Sequence, residues 1–154
     1  MGRTSTEIHT GPSGGAGYQL DDQIGFLLRR AYQRASANLS RSISAHHLTP
    51  PQFAVLARLY ERGSVSQNLL GRLVVMEPAN VRAIVQRLGK RRLVKTGRAA
   101  DDRRLLLVSL TADGAALIEN LIPIELDASA ATLAPLTPRE RTHLCELLVK
   151  IARE

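Results

Sequence analysis

The apolar residues of this chain leave helical spacing only once. From Ile24 to Leu88 they recur every three or four positions, the period of an α-helix. From Leu93 to Leu110 they fall in two short runs, Leu93-Val94-Lys95-Thr96 and Leu105-Leu106-Leu107-Val108-Ser109-Leu110, with a polar turn from Gly97 to Arg103 between them. Two such runs around a polar turn predict a β-hairpin. After Thr111 the helical spacing returns. The expected fold class is therefore α+β, mostly α, with one hairpin set between helices. Aromatics make up only 3% of the sequence and Trp is absent, so Leu, Ile, Val and Ala must build the core.

Residues 1–19 are rich in Gly, Ser and Thr and predict a disordered tail. A long helix is expected from Leu20 to about Ala45, with Ile24, Leu28, Ala31, Ala35, Leu39 and Ile43 on one stripe. Thr49-Pro50-Pro51-Gln52 reads as a cap with prolines in the first turn, opening a helix to about Glu61 with Phe53, Leu56, Leu59 and Tyr60 inward. Ser66 caps a short helix to Val74, expected to bury Leu69, Leu70 and Leu73. Pro78 starts the next helix, to about Arg92. It buries Val81, Ile84, Val85 and Leu88, and leaves Ala79, Asn80, Arg82, Ala83, Gln86 and Arg87 open. Thr111 caps a helix to about Leu133, in which Pro123 predicts a kink or a split near Ile122. Thr137-Pro138 opens a last helix, with Leu144, Leu147, Leu148 and Ile151 on one face.

The charge is as local as the hairpin. Nine basic residues lie between Arg82 and Arg104, and only Asp101 and Asp102 oppose them. That segment alone carries the whole chain's net charge of +7. A local excess of this kind suits a polyanion, and a solvated helix face followed by a charged turn would also produce it. No apolar run reaches the roughly 18 residues of a membrane span, and residues 1–19 lack an export-type apolar segment. The expected location is the cytoplasm.

Two short helices joined by a tight turn, the second one basic and followed by a basic hairpin, make a winged helix-turn-helix. A helix fits the major groove, where exposed side chains near its N-terminus reach base edges. The hairpin tip, with Arg98, Arg103 and Arg104, then lies where an adjacent minor groove passes, and arginine suits that narrow, electronegative groove. Lys90, Arg91, Arg92 and Lys95 are placed to neutralise phosphates, which adds affinity without sequence information.

Residues 49–114 resemble the MarR family of bacterial regulators. The resemblance is carried by Leu48-Thr49-Pro50-Pro51-Gln52-Phe53, by Val85-Gln86-Arg87-Leu88, by Leu93-Val94, and above all by Asp101-Asp102-Arg103-Arg104 with its trailing strand and Thr111-Ala-Asp-Gly cap. It extends over roughly Asp21 to Ile151. It implies one MarR-like domain over residues 20–154, with dimerisation helices at 20–45 and 111–154 and a winged DNA-binding lobe at 49–110. It also implies a homodimer on a double-stranded DNA operator. Asn80, Arg82 and Gln86 would read bases, and Gln67 and Arg87 would touch phosphate. Asp102 would pair with Arg104 to stiffen the wing. The family commonly has Gly where this chain has Arg92, so the recognition helix is expected to end without a residue suited to the left-handed conformation.

The family's effectors are often small aromatic acids, and its effector pocket lies between dimer base and winged lobe. His46 and His47 fall at that junction, and Arg29 and Arg30 could clamp a carboxylate. The stretch from Tyr18 to Ala35 resembles regulators of aromatic-acid catabolism, nicotinate degradation among them. The expected function is a ligand-responsive repressor released by a small anionic aromatic effector; the alternative is an effector-independent DNA-coating protein. No catalytic set, cofactor motif or metal motif is present in the sequence. Cys145, in the last helix, reads as a packed thiol at the dimer interface rather than as a redox switch.

Overall fold

Side-chain caps set where most of the helices begin. The computed structural model describes residues 18–100, 102 and 104–153. The tail expected at 1–19 lies almost wholly outside the described residues, as does Arg103. A 3-10 turn at Leu20–Asp22 precedes α1 (Ile24–Ile43), and a second at Ser44–His46 follows it. α2 (Pro50–Arg62) opens on a capping box: Thr49 Oγ1 accepts from the Gln52 N–H, and Gln52 Oε1 accepts from the Thr49 N–H. α3 (Gln67–Leu73) starts at Ser66, whose Oγ accepts from the Leu69 N–H at 3.2 Å. α4 (Pro78–Lys90) has proline in its first turn. α5 (Ala112–Thr132) and α6 (Pro138–Ala152) begin at capping threonines, Thr111 and Thr137.

Three strands make one antiparallel sheet in the order β1 (Val65–Ser66), β3 (Leu106–Leu110), β2 (Val94–Arg98). Val94 stands opposite Leu110, and Val65 opposite Val108. The hairpin β2–β3 is the wing. β1 is an addition to the expected hairpin.

One continuous core joins the end of α1 to α2, α3, α4, the sheet and the first half of α5. Ile43, Leu56, Leu70, Leu88, Val108 and Ile118 are all at 0% exposure within it. Each such side chain contributes about 1.5–3 kcal/mol relative to an exposed one. α1 enters this core with its C-terminal Ile43, and α5 leaves it after Leu121, so the two helices run antiparallel where they pack together. Asn38 Nδ2 donates to Thr132 Oγ1 at 2.8 Å across that contact.

Several expectations are corrected. α1 is shorter than 20–45, and of its stripe only Ile43 is buried, while Ile24, Leu28 and Ala31 are exposed in the single chain. Leu69 and Tyr60 point outward rather than inward. Tyr60 leaves the α2 core and donates its hydroxyl to Glu119 Oε1 at 3.1 Å, which raises the phenol pKa. α4 ends at Lys90, not Arg92. α5 runs through Pro123 as one helix and is not split. Proline costs a helix interior about 3 kcal/mol, and the packing of Ile122 and Ile124 on the core opposes that cost. α6 buries none of its residues and makes no extended packing against any other element.

Candidate nucleic-acid interface

The turn between α3 and α4 is a Schellman ending. The Met76 N–H donates to the Gly71 carbonyl at 3.0 Å and the Val75 N–H to the Arg72 carbonyl at 3.2 Å. This places Val75 at φ 53°, in the left-handed region, with 91% of its surface exposed. A β-branched residue is strained there. α4 ends the same way: the Leu93 N–H donates to the Leu88 carbonyl at 3.0 Å and the Arg92 N–H to the Gly89 carbonyl at 2.9 Å. Arg92 sits at φ 59°. α4 therefore ends without a residue suited to the left-handed conformation, and Arg92 takes that conformation all the same.

The start of the wing is tied to α5. Thr111 Oγ1 donates to the Arg92 carbonyl at 2.6 Å and accepts from the Gly114 N–H at 3.0 Å. The Thr111 N–H donates to the Leu93 carbonyl at 3.1 Å. Gly114 lies so close to this strand that a Cβ there would stand 2.0 Å from the Leu93 oxygen. Glycine is required at that position by the approach of one backbone to another.

With Val81, Ile84, Val85 and Leu88 facing the core, α4 turns Asn80, Arg82, Gln86, Arg87 and Lys90 to solvent. Gln67 of α3, Arg82 and Gln86 of α4, and Lys95 and Thr96 of β2 line one groove between recognition helix and wing. A second groove, between α3 and the start of α4, is lined by Gln67, Asn68, Arg72, Glu77 and Asn80 among others. Asn68, Arg72 and Thr96 were not singled out by the sequence reading. Asn68 and Arg72 are polar residues of a helix read mainly for its buried leucines, and Thr96 was read only as part of a strand. Arg98 lies exposed on β2. At the wing tip, Asp102 Oδ1 accepts from the Arg104 backbone N–H at 2.8 Å. The stiffening contact is to the Arg104 amide rather than to its guanidinium.

Arg91 does not belong to this row. Its guanidinium donates to the backbone carbonyls of His47 and His46, so it serves the junction of α1 and α2.

A cleft of about 470 Å³ lies between α1, α2 and α5. Its walls include Leu39, Pro51, Phe53 and Met76, and its polar groups are Tyr32, Ser36, Glu125, Ser129 and Thr132. Arg29, Arg30, His46 and His47 lie outside this lining. Arg30 is exposed, 3.5 Å from Asp21 and over the Phe26 ring. His47 is left-handed at φ 53°. Cys145 is free and exposed on α6, not packed within its own chain. Among the described residues, no grouping of His, Cys, Asp and Glu is arranged to hold a metal ion, and no helix is long and apolar enough to cross a membrane.

The sequence profile of the MarR family matches residues 46–105. The HTH-type transcriptional repressor NicR of Pseudomonas putida is 37% identical over 134 residues, covering 87% of this chain and 85% of its own length. A probable transcriptional regulator from Pseudomonas aeruginosa, known from a crystal structure, is 44% identical with a TM-score of 0.81, covering 86% of this chain and 99% of that one. Bordetella bronchiseptica BpsR, whose structure addresses the regulation of its DNA binding by 6-hydroxynicotinic acid, is 36% identical with a TM-score of 0.84. That match covers 94% of this chain and 99% of BpsR.

Proposed function

Because this chain belongs to the MarR family of transcriptional regulators, we propose that it is a cytoplasmic repressor that grips a pseudo-palindromic operator as a homodimer. A small aromatic carboxylate, nicotinate-like or salicylate-like, releases it. The observation that carries the DNA part is the two-sidedness of α4. One face is locked in the core, and the other offers Asn80, Arg82 and Gln86 beside the wing. Those three read base edges in the major groove. Gln67, Arg87 and Lys90 hold phosphate, and Arg98, Asp102, Arg103 and Arg104 form the wing in the minor groove.

Leu27, Leu28, Leu147, Leu148 and Ile151 of α1 and α6 are exposed large apolar residues in the single chain. A second copy is the covering that the family provides, within one unit from 20 to 154. Two lobes then meet half-sites about 34–36 Å apart. The effector reading is supported by the names of the relatives, a repressor NicR and a BpsR regulated by 6-hydroxynicotinic acid. Arg29, Arg30, His46 and His47 are its candidate polar contacts from outside the cleft wall. Effector binding favours a dimer whose lobes no longer fit adjacent grooves.

The test is operator binding by the full chain, with and without 6-hydroxynicotinate, at physiological salt. A repressor of this kind prefers its operator over random duplex by roughly 10³-fold or more and loses that binding when the acid is added. Equal affinity for any duplex, insensitive to the acid, would identify a DNA-coating protein instead.

A further inference from the structure

Of the fifteen residues that line the cleft between α1, α2 and α5, Glu125 alone carries a charge at neutral pH. It is half-buried, and Ser129 Oγ donates to its Oε1 at 2.7 Å. Its Oε2 accepts no hydrogen bond from the described residues. Thr132 is already engaged, accepting from Asn38 and donating to the Ala128 carbonyl. A site of this make-up is poorly suited to an acid that enters carboxylate first. Two carboxylates in a largely apolar space repel each other, and no cation in the lining offsets them.

We infer that Glu125 is the specificity residue of the effector cleft, reading a hydrogen-bond donor on the effector's ring and turning the effector's carboxylate away from itself. The inference rests on the effector reading above and adds the chemical class: an aromatic acid with a hydroxyl or ring N–H across the ring from its carboxylate. The topology supplies the direction. α1 runs toward the lobe core and α5 runs away from it, and Asn38 meets Thr132 where they cross. Glu125, two turns before Thr132, therefore sits at the lobe end of the cleft. Tyr32 and Ser36, before Asn38 on α1, line the far end. The apolar walls between them, Leu39, Pro51 and Phe53, take the ring. Once a bound ring shields Glu125 from water, its Oε2 left without a donor penalises any ligand that lacks one, which is how such a site discriminates.

The test uses nicotinate and 6-hydroxynicotinate as probes, titrated calorimetrically into the full-length protein. The second acid differs by a donor opposite the carboxylate. The wild type is expected to prefer 6-hydroxynicotinate by about tenfold or more. Glu125→Ala should bring the two acids within about threefold of each other, chiefly by weakening the hydroxylated one. Because the readout is a ratio of affinities, a partly destabilised variant still reports. Should Glu125→Ala fail to fold, Glu125→Gln carries the test, with a fall in the ratio of at least about threefold expected. An unchanged ratio in the folded variants overturns the role of Glu125 and leaves the proposed repressor standing. Failure of both acids to bind the wild type overturns this inference together with the aromatic-acid effector.

Discussion

The guanidinium of Arg91 donates to the backbone carbonyl of His47 at 2.8 Å, and its other terminal nitrogen donates to the His46 carbonyl at 2.9 Å. The residue that caps the recognition helix therefore holds the corner where α1 passes into α2. Arg91→Ala should lower unfolding stability by about 1 kcal/mol, the modest end for charge-assisted bonds at an exposed site. It should leave the salt dependence of DNA binding unchanged. Lys90→Ala should do the reverse: affinity falls on all duplexes alike and the salt slope drops by about one unit. Urea unfolding and titrations at several salt concentrations separate the two.

Val75 and Arg92 both take left-handed backbone conformations. That conformation costs a non-glycine residue about 1–2 kcal/mol, and the greater freedom of an unfolded glycine offsets about 0.5–1 kcal/mol of any relief. Val75→Gly should raise stability by about 1 kcal/mol and Arg92→Gly by about half that. Both are read as shifts in urea midpoint at constant m-value. Loss of stability in Val75→Gly would show that the turn is not strained.

Gly114→Ala should be among the most damaging single changes in the chain. Its Cβ would stand 2.0 Å from the Leu93 carbonyl oxygen, so α5 must shift away from the wing. A loss of about 2–4 kcal/mol is expected from such a backbone clash. Near-normal urea unfolding would mean that α5 moves more freely than its packing implies.

Arg82→Ala and Arg104→Ala divide the interface. Removing Arg82 should cost about 1–3 kcal/mol on the operator and relax the preference at one base position. Removing Arg104 should weaken operator binding while the oligomeric state persists. Binding measured over a panel of single-base operator variants, with sedimentation of each protein, checks both. An unchanged operator affinity in Arg104→Ala would remove the wing from the interface.

Acid should loosen α6 through its capping box. Hydrogen bonds from the Thr137 N–H and hydroxyl hold the Glu140 carboxyl below its ordinary pKa. The folded value is the lower one, so the box's contribution is complete above the ordinary glutamate range near about 4.3. It is lost as pH falls through the depressed value. Glu140→Gln keeps an acceptor at the third helical position and should remove this part of the acid sensitivity. Thermal unfolding of both proteins across that range is the measurement.

Much of the fold was legible because it rests on local chemistry. Thr49, Ser66, Thr111 and Thr137 cap the helices they were expected to cap, and the change of spacing at Leu93 marks the wing. β1 was not legible, since two residues give no alternation and Ser66 also serves as a cap. How little of the α1 stripe is buried within one chain was not legible, because an apolar stripe does not say whether its cover lies in the same chain. For Arg91, charge said nothing of its partners, two carbonyls more than forty residues away. The cleft around Glu125 is assembled from three helices distant in sequence, and no short motif records it.

The left-handed positions Val75 and Arg92 stand just outside the two ends of α4. Every valine and every arginine codon lies one nucleotide from glycine, so ordinary mutation reaches both changes. Between them are Asn80, Arg82 and Gln86, the proposed base readers, where on that reading a new operator would have to be learned. A regulator drifting toward a different target usually weakens as it changes. This one carries a reserve at each end of the helix that does the reading, which widens the set of operators its descendants can reach without unfolding on the way.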